Sequence, residues 1–279
     1  MYALAIQTAH NRNATMTKTV LITGAGSGLG AAFARLYASQ GCQVIVADVN
    51  ATRADETRAS ILAQGGHATA FEIDITREVD WENLRLALAK QGIVVDLLIN
   101  NAGVASGGPT LAADMDEWQW MLDVNLLGLV RGCRCFVPDM LTRGQGQIIN
   151  IASFAGLAGA PGLGSYGVAK AAVVAFSESL RAELASQGVR VSVACPAFFK
   201  TRLLDSFRGT PRMLKTAAKL MDEASQTADD IASAIQRAAA KDEFLIIPTA
   251  VERRRWWWKR HFPDLYFTQM KKLIARRTG

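Results

Sequence analysis

Long apolar runs are missing from this chain. No stretch of its 279 residues approaches the ~18–20 apolar residues a membrane span needs. Hydrophobic residues still make up 50% of it, enough to core one large α/β domain or two small ones. Histidine is scarce, and His10, His67 and His261 lack metal-ligand spacing; no metal site is expected. The four cysteines form no disulfide framework. Cys133 and Cys135 point apart on a helical stretch, and Cys42 and Cys195 fall in segments that read as buried strands, which points to a reducing, cytoplasmic compartment. There is no Walker A loop. There is no Gly-x-Ser-x-Gly elbow either, because Leu163 stands two residues before Ser165. Residues 1–17 start apolar but carry no basic segment. They read as a loose extension rather than a signal peptide, with Met16 an alternative start.

Net charge is also missing from most of the chain. The total is +6, yet residues 251–279 hold nine Lys/Arg against Glu252 and Asp264. That leaves +7 on the tail and −1 on residues 1–250, so the excess is local.

What is present alternates. Short β-branched runs at 19–23, 42–48, 68–74, 96–102, 147–153, 190–195 and 244–248 are separated by Ala- and Leu-rich helical stretches. One of these, 29–41, is closed by Gly41. Most runs are apolar on both faces, as strands covered by helices on both sides must be. The expected fold is a single-domain, Rossmann-like doubly wound parallel sheet of about seven strands. No repeat or linker interrupts it before about residue 250.

The first strand runs into Thr23-Gly24-Ala25-Gly26-Ser27-Gly28-Leu29-Gly30. Glycines there allow a tight turn and let a pyrophosphate approach backbone N–H groups at a helix N-terminus. The second strand ends in Asp48, placed to accept both hydroxyls of an adenosine ribose. Its carboxylate would repel a 2′-phosphate, and no cation stands at Ser27 or Val49 to counter it. NAD is therefore expected over NADP, with Arg53 the one nearby cation opposing that choice.

Tyr166 and Lys170 stand four apart, on one face of a helix. Tyr166 is the one tyrosine of four with a lysine at that offset. A free phenol, with a pKa of ~10, is a poor base at neutral pH. A neighbouring ammonium is expected to lower that pKa, as a general acid/base needs. Ser153 ends the fifth strand, where ligands of such sheets bind, and can hydrogen-bond a substrate oxygen.

These motifs together resemble the short-chain dehydrogenase/reductase family of the compact ~250-residue type, over roughly residues 18–248. The Gly-rich turn, Asp74-Ile75, Asn100–Gly103, Asn125 in DVNLLG, and Ser153, Tyr166 and Lys170 all fit its pattern in order. The resemblance implies reversible hydride transfer between NAD and an alcohol/carbonyl pair. It implies catalysis by Asn125, Ser153, Tyr166 and Lys170, with Asn125 holding a water that links Lys170 to solvent. The implied cofactor cleft comprises Thr23, Gly24, Ser27, Gly28, Leu29, Gly30, Asp48, Asp74, Ile75, Asn101, Ala102, Gly103, Tyr166, Lys170, Pro196, Phe199 and Thr201. One departure is Pro196-Ala197 where the family has Pro-Gly; a Cβ at Ala197 would shift this loop if the position needs φ > 0. The family also implies a homodimer or homotetramer, with helices near 115–140 and 165–187 at the interface.

The substrate pocket is expected to use Val104, Phe154, Leu157, Phe198 and Leu203, under a lid at 202–222 whose two helical halves break at Gly209-Thr210-Pro211. Such walls suit an apolar secondary alcohol or ketone. Two alternatives are a non-catalytic NAD-binding sensor or scaffold and a membrane-tethered reductase of lipid-like substrates. The chain thus divides into an extension (1–17), a cofactor-binding domain (18–250) and a basic, aromatic tail (251–279). In the tail, Trp256, Trp257 and Trp258 cannot share one narrow helix face. After Pro263, Tyr266, Phe267, Met270, Leu273 and Ile274 form an apolar stripe. Packing on its own subunit or a neighbour competes with peripheral contact of 253–277 at the inner face of a membrane. No nucleic-acid partner is expected, because the body is not basic.

Overall fold

The computed structural model describes residues 17–278, with side chains through Lys272. The extension before Thr17, Met16 included, lies outside the described residues, as do the side chains of Leu273 and Ile274. Nine strands are present among the described residues: β1 (Thr19–Thr23), β2 (Gln43–Asp48), β3 (His67–Glu72), β4 (Leu97–Asn100), β5 (Ser106–Gly107), β6 (Gly146–Ile151), β7 (Val189–Ala194), β8 (Arg208–Gly209) and β9 (Leu245–Ile246). Seven form one parallel sheet in the order β3-β2-β1-β4-β6-β7-β9. The order reverses between β1 and β4, which opens a crevice beyond their carboxyl ends.

Alternate residues serve opposite faces, as the two-residue strand period requires. Leu21, Ile45, Leu98, Ile148 and Val191 bury one way, against α3 (Glu78–Lys90), α5 (Gly128–Arg143) and α7 (Gly164–Leu184). Val20, Ile22, Val44, Val46, Leu97 and Ile99 bury the other way, against α1 (Gly28–Ser39), α2 (Ala51–Ala63) and α9 (Ala228–Ala240). Each such aliphatic side chain contributes roughly 1.5–3 kcal/mol. Helix α1 ends as its sequence requires, with Gly41 at φ +80° just beyond it.

Five of the expected strand segments overrun, those read as 190–195 and 244–248 leaving the ladder at Ala194 and Ile246. The runs read as 68–74, 96–102 and 147–153 leave the ladder at Glu72, Asn100 and Ile151. The overhanging residues include Asp74, Asn101, Ala102 and Ser153, which turn toward the crevice.

The lid differs from the expectation of two helical halves. Its first half is a 3₁₀ turn, Leu203–Ser206, followed by β8, which pairs in parallel with β5. Four residues held by an Arg202–Asp205 ion pair (2.9 Å) are too few for an α-helix. Only after Thr210, whose hydroxyl accepts from the Met213 N–H, does α8 (Pro211–Asp222) begin, with Pro211 as its first residue. The remaining helices are α4 (Met115–Leu122), α6 (Phe154–Ala158) and, in the tail, α10 (Ala250–His261) and α11 (Pro263–Thr278).

Candidate active site

A cavity of about 610 Å³ runs from Asp48 and Asp74 at one end to Ser153, Tyr166 and Lys170 at the other. Its floor is the turn after β1. Gly24 has φ +63°, and a Cβ there would lie 2.8 Å from the Ala102 Cα; a Cβ on Gly30 would lie 2.1 Å from the Gly24 carbonyl oxygen. No side chain fits at either position, so backbone N–H groups line the cleft at the start of α1. The β4 end is tied to this turn. The Thr23 hydroxyl accepts from the backbone N–H groups of Asn101 (3.0 Å) and Ala102 (3.1 Å), and the Asn101 amide donates to the Thr23 carbonyl (2.9 Å).

Asp48 is oriented by its own surroundings. One carboxylate oxygen accepts from the Gly26 N–H (2.9 Å), the other from the Asn50 N–H (3.0 Å). Arg53 also lines the cavity, but its guanidinium is paired with Asp205 of the lid at 3.3 Å.

At the far end, β6 releases Ser153, which N-caps α6 by accepting from the Ala155 N–H at 3.1 Å. Tyr166 and Lys170 sit on α7, with the ammonium 6.0 Å from the phenol ring centroid. Lys170 is 4% exposed and donates to the Ile151 carbonyl at 3.0 Å. Asn125 lies in a π-helical turn, Asp123–Leu127, between α4 and α5. Such bulges recur where a helix must re-aim a side chain. Here the Asn125 amide pairs with the Val104 backbone in both directions, at 3.1 and 3.0 Å. A Cβ on Gly103 would meet both the Asn125 Oδ1 (2.6 Å) and the Lys170 Nζ (3.3 Å), so glycine leaves the space between them open. A buried polar chain steadies the start of α7: Ser106 and Ser165 share a 2.7 Å hydrogen bond, and Ser165 donates to Glu117 at 2.8 Å.

The electrostatics differ from the expected lowering at Tyr166. Burial raises its phenol pKa above the ordinary 10, and the hydrogen bond with Ser153 opposes this only in part. Burial also pulls Lys170 down to about 8. Desolvation opposes the charged form of each group, and in the protein itself it outweighs an ammonium 6.0 Å away.

The short chain dehydrogenase family profile matches residues 18–212. The chain belongs to the short-chain dehydrogenase/reductase family. It is 35% identical over 190 residues to meso-2,3-butanediol dehydrogenase of Serratia marcescens, covering 68% of this chain and 74% of that one. It is also 34% identical over 186 residues to "Probable oxidoreductase EphD" of Mycobacterium tuberculosis, covering 66% of this chain but only 31% of EphD. The family fold extends further in space. A short-chain dehydrogenase/reductase from Burkholderia phymatum in complex with NAD superposes with a TM-score of 0.84 at 31% identity, over 89% of this chain and 95% of that one. A Sphingobium yanoikuyae short-chain dehydrogenase in complex with NADPH gives 0.73 at 26% identity, over 92% and 95%.

Within this family frame, the cavity lining includes Gly24, Ser27, Leu29, Asp48, Asp74, Ile75, Asn101, Ala102, Gly103, Ser153, Tyr166, Lys170, Pro196, Phe199 and Thr201. Thr23, Gly28 and Gly30 are not among the lining residues, and Asn125 is 1% exposed. Of the expected substrate wall, Val104 and Leu203 line the cavity. Phe154 and Leu157 instead pack into the core beneath α6, and Phe198 is 42% exposed outside the lining. Helix α6 turns their side chains away from the cleft. Trp120, Val124 and Met221 supply apolar wall in their place. Trp120 and Met221 gave no sequence signal beyond helical spacing, because the β5–β8 pairing that ties the lid carrying Met221 to the body is non-local. Ala197 needs no positive φ: among the described residues only Asp242 among non-glycines has one.

Proposed function

We propose that the protein is an NAD-dependent oxidoreductase that interconverts an apolar secondary alcohol and its ketone. The observation that carries this reading is the convergence of Ser153, Tyr166 and Lys170 at one end of a cavity whose other end is a glycine cradle beside Asp48. The residues present fit a dinucleotide. The cradle admits no Cβ, the N-terminus of α1 suits a pyrophosphate, and Asp48 offers carboxylate oxygen to ribose hydroxyls. Asp48 disfavours a 2′-phosphate, and the Asp205 ion pair offsets the charge of Arg53, the cation nearest to it. Both features favour NAD over NADP.

When bound, the nicotinamide cofactor accepts or returns the hydride. The chain does the rest. The Ser153 hydroxyl holds the substrate oxygen. The Tyr166 Oη takes the alcohol proton in oxidation and returns it in reduction. The Lys170 ammonium steadies the phenolate, and a positively charged nicotinamide opposes the upward shift that burial imposes on the phenol. Asn125 and the open space beside Gly103 carry the proton onward through water. Val104, Trp120, Val124, Leu203 and Met221 favour an apolar substrate body. As the family pattern implies, the working unit is a homodimer or homotetramer.

The test is a screen of secondary alcohols graded by chain length and ring count, with NAD and NADP compared. The reading expects NAD turnover that improves with apolar bulk. A preference for small polar alcohols, or turnover with NADP alone, would overturn it.

A further inference from the structure

The tail lies outside the catalytic cleft, and its two faces differ. One face grips the body. Trp256 packs against the core, the Lys259 ammonium donates to the Leu157 carbonyl, and the Tyr266 hydroxyl donates to the Ala158 carbonyl at 3.2 Å. These are carbonyls at the C-terminal end of α6, which a helix leaves unsatisfied and where a cation is favoured. The same five-residue helix begins at its N-cap, Ser153.

The other face is open to solvent among the described residues. Trp257, Trp258 and Phe262 are 49%, 42% and 46% exposed, although their rings form one cluster with centroids 5.1–5.9 Å apart. Leu265 and Phe267 follow past the elbow, 48% and 62% exposed. Arg254, Arg260, Lys271 and Lys272 are exposed on the same two helices, within a segment carrying +7 on a chain whose remainder carries −1. Among the described residues no helix is long and apolar enough to cross a membrane.

We propose that the α10–α11 elbow is a docking surface for an anionic phospholipid bilayer. Trp257, Trp258, Phe262, Leu265 and Phe267 seat at headgroup depth, and the basic residues meet lipid phosphates. Charge decides between this occupant and a second copy of the chain. A two-fold contact through this face would set two +7 segments against each other, and a body of net −1 supplies little net attraction for one head-to-tail. Aromatic rings interleaved with cations are the composition of a membrane interface. Because the gripping face caps α6, the lipid seat is mechanically continuous with the helix that starts at Ser153.

Flotation of the full-length protein with phosphatidylglycerol-rich vesicles and with pure phosphatidylcholine vesicles tests this. Binding is read without turnover, so its failure leaves the oxidoreductase reading standing. The expected result is association with the anionic vesicles, weakened by salt. Arg254→Glu/Arg260→Glu/Lys272→Glu should weaken it at least a hundredfold, about fivefold for each basic residue lost near the surface. Trp257→Ser/Trp258→Ser/Phe267→Ser should weaken it roughly tenfold or more. All six positions are exposed, and unchanged melting of both variants checks that the fold is kept. Three results would overturn the proposal: no flotation with either vesicle, equal flotation with both regardless of salt, or light scattering in which the aromatic triple variant breaks a dimer while the unmodified protein ignores lipid.

Discussion

Lys170→Met separates what this lysine does for chemistry from what it costs the fold. The ammonium is 4% exposed, and its pKa falls from 10.5 to about 8 because burial disfavours the charge. The 2.5 pH units between these values correspond to about 3 kcal/mol. Below pH 8 both the folded and the unfolded chain carry the proton, so the folded state bears the full penalty. Between 8 and 10.5 only the unfolded chain retains it, and stability rises with pH. Above 10.5 the penalty is gone. Methionine removes the charge but also the 3.0 Å hydrogen bond to the Ile151 carbonyl, a loss of about 1–2 kcal/mol. The variant should therefore be more stable than the parent by about 1–2 kcal/mol at pH 7, a melting shift of roughly 2–6 °C. At high alkaline pH it should be less stable by a similar amount. Denaturant titration at both pH values reads the sign change, and turnover should fall by at least about 100-fold. A difference in stability that stays constant between pH 7 and high alkaline pH would refute the assignment of a buried, strained ammonium.

Asp48→Ala should lower kcat/KM with NAD by about tenfold or more and raise it with NADP, since a charged hydrogen bond contributes about 1.5–3 kcal/mol. Adding Asp205→Asn frees Arg53 from its 3.3 Å partner and should raise NADP use a further few-fold; steady-state kinetics with each cofactor check both. Gly30→Ala places a Cβ 2.1 Å from the Gly24 carbonyl oxygen, so titration calorimetry should show NAD affinity reduced more than about tenfold while the far end of the cavity is untouched. Trp120→Ala removes apolar wall from the cavity and the ring on which Arg208 stacks at 3.9 Å; the substrate screen should shift toward bulkier alcohols, with NAD affinity unchanged.

The parts of this structure that follow from local rules were legible in the sequence. Apolar runs gave seven sheet strands; Gly24 could be placed in the turn after β1, and Asp48, Tyr166 and Lys170 because their strand and helix fix where each side chain points. Harder features depend on contacts between distant segments. Phe154 and Leu157 read as pocket wall until α6 turned them into the core. The lid read as two helices because Arg208-Gly209 carries no sign that it will pair with Ser106-Gly107. Nor does spacing reveal the π-helical turn that aims Asn125. The direction of the Tyr166 shift was missed for a different reason. A sequence shows that Lys170 is near but not how deeply both groups are buried.

The central claim is that the Tyr166 hydroxyl moves the proton in an NAD-linked alcohol oxidation. Comparing the parent with Tyr166→Phe on the best alcohol of the screen, with NAD affinity measured on both proteins, tests it most directly. The account predicts kcat/KM reduced by about 100-fold to 10,000-fold, with NAD affinity within a few-fold of the parent. Retained turnover in the phenylalanine variant would contradict it.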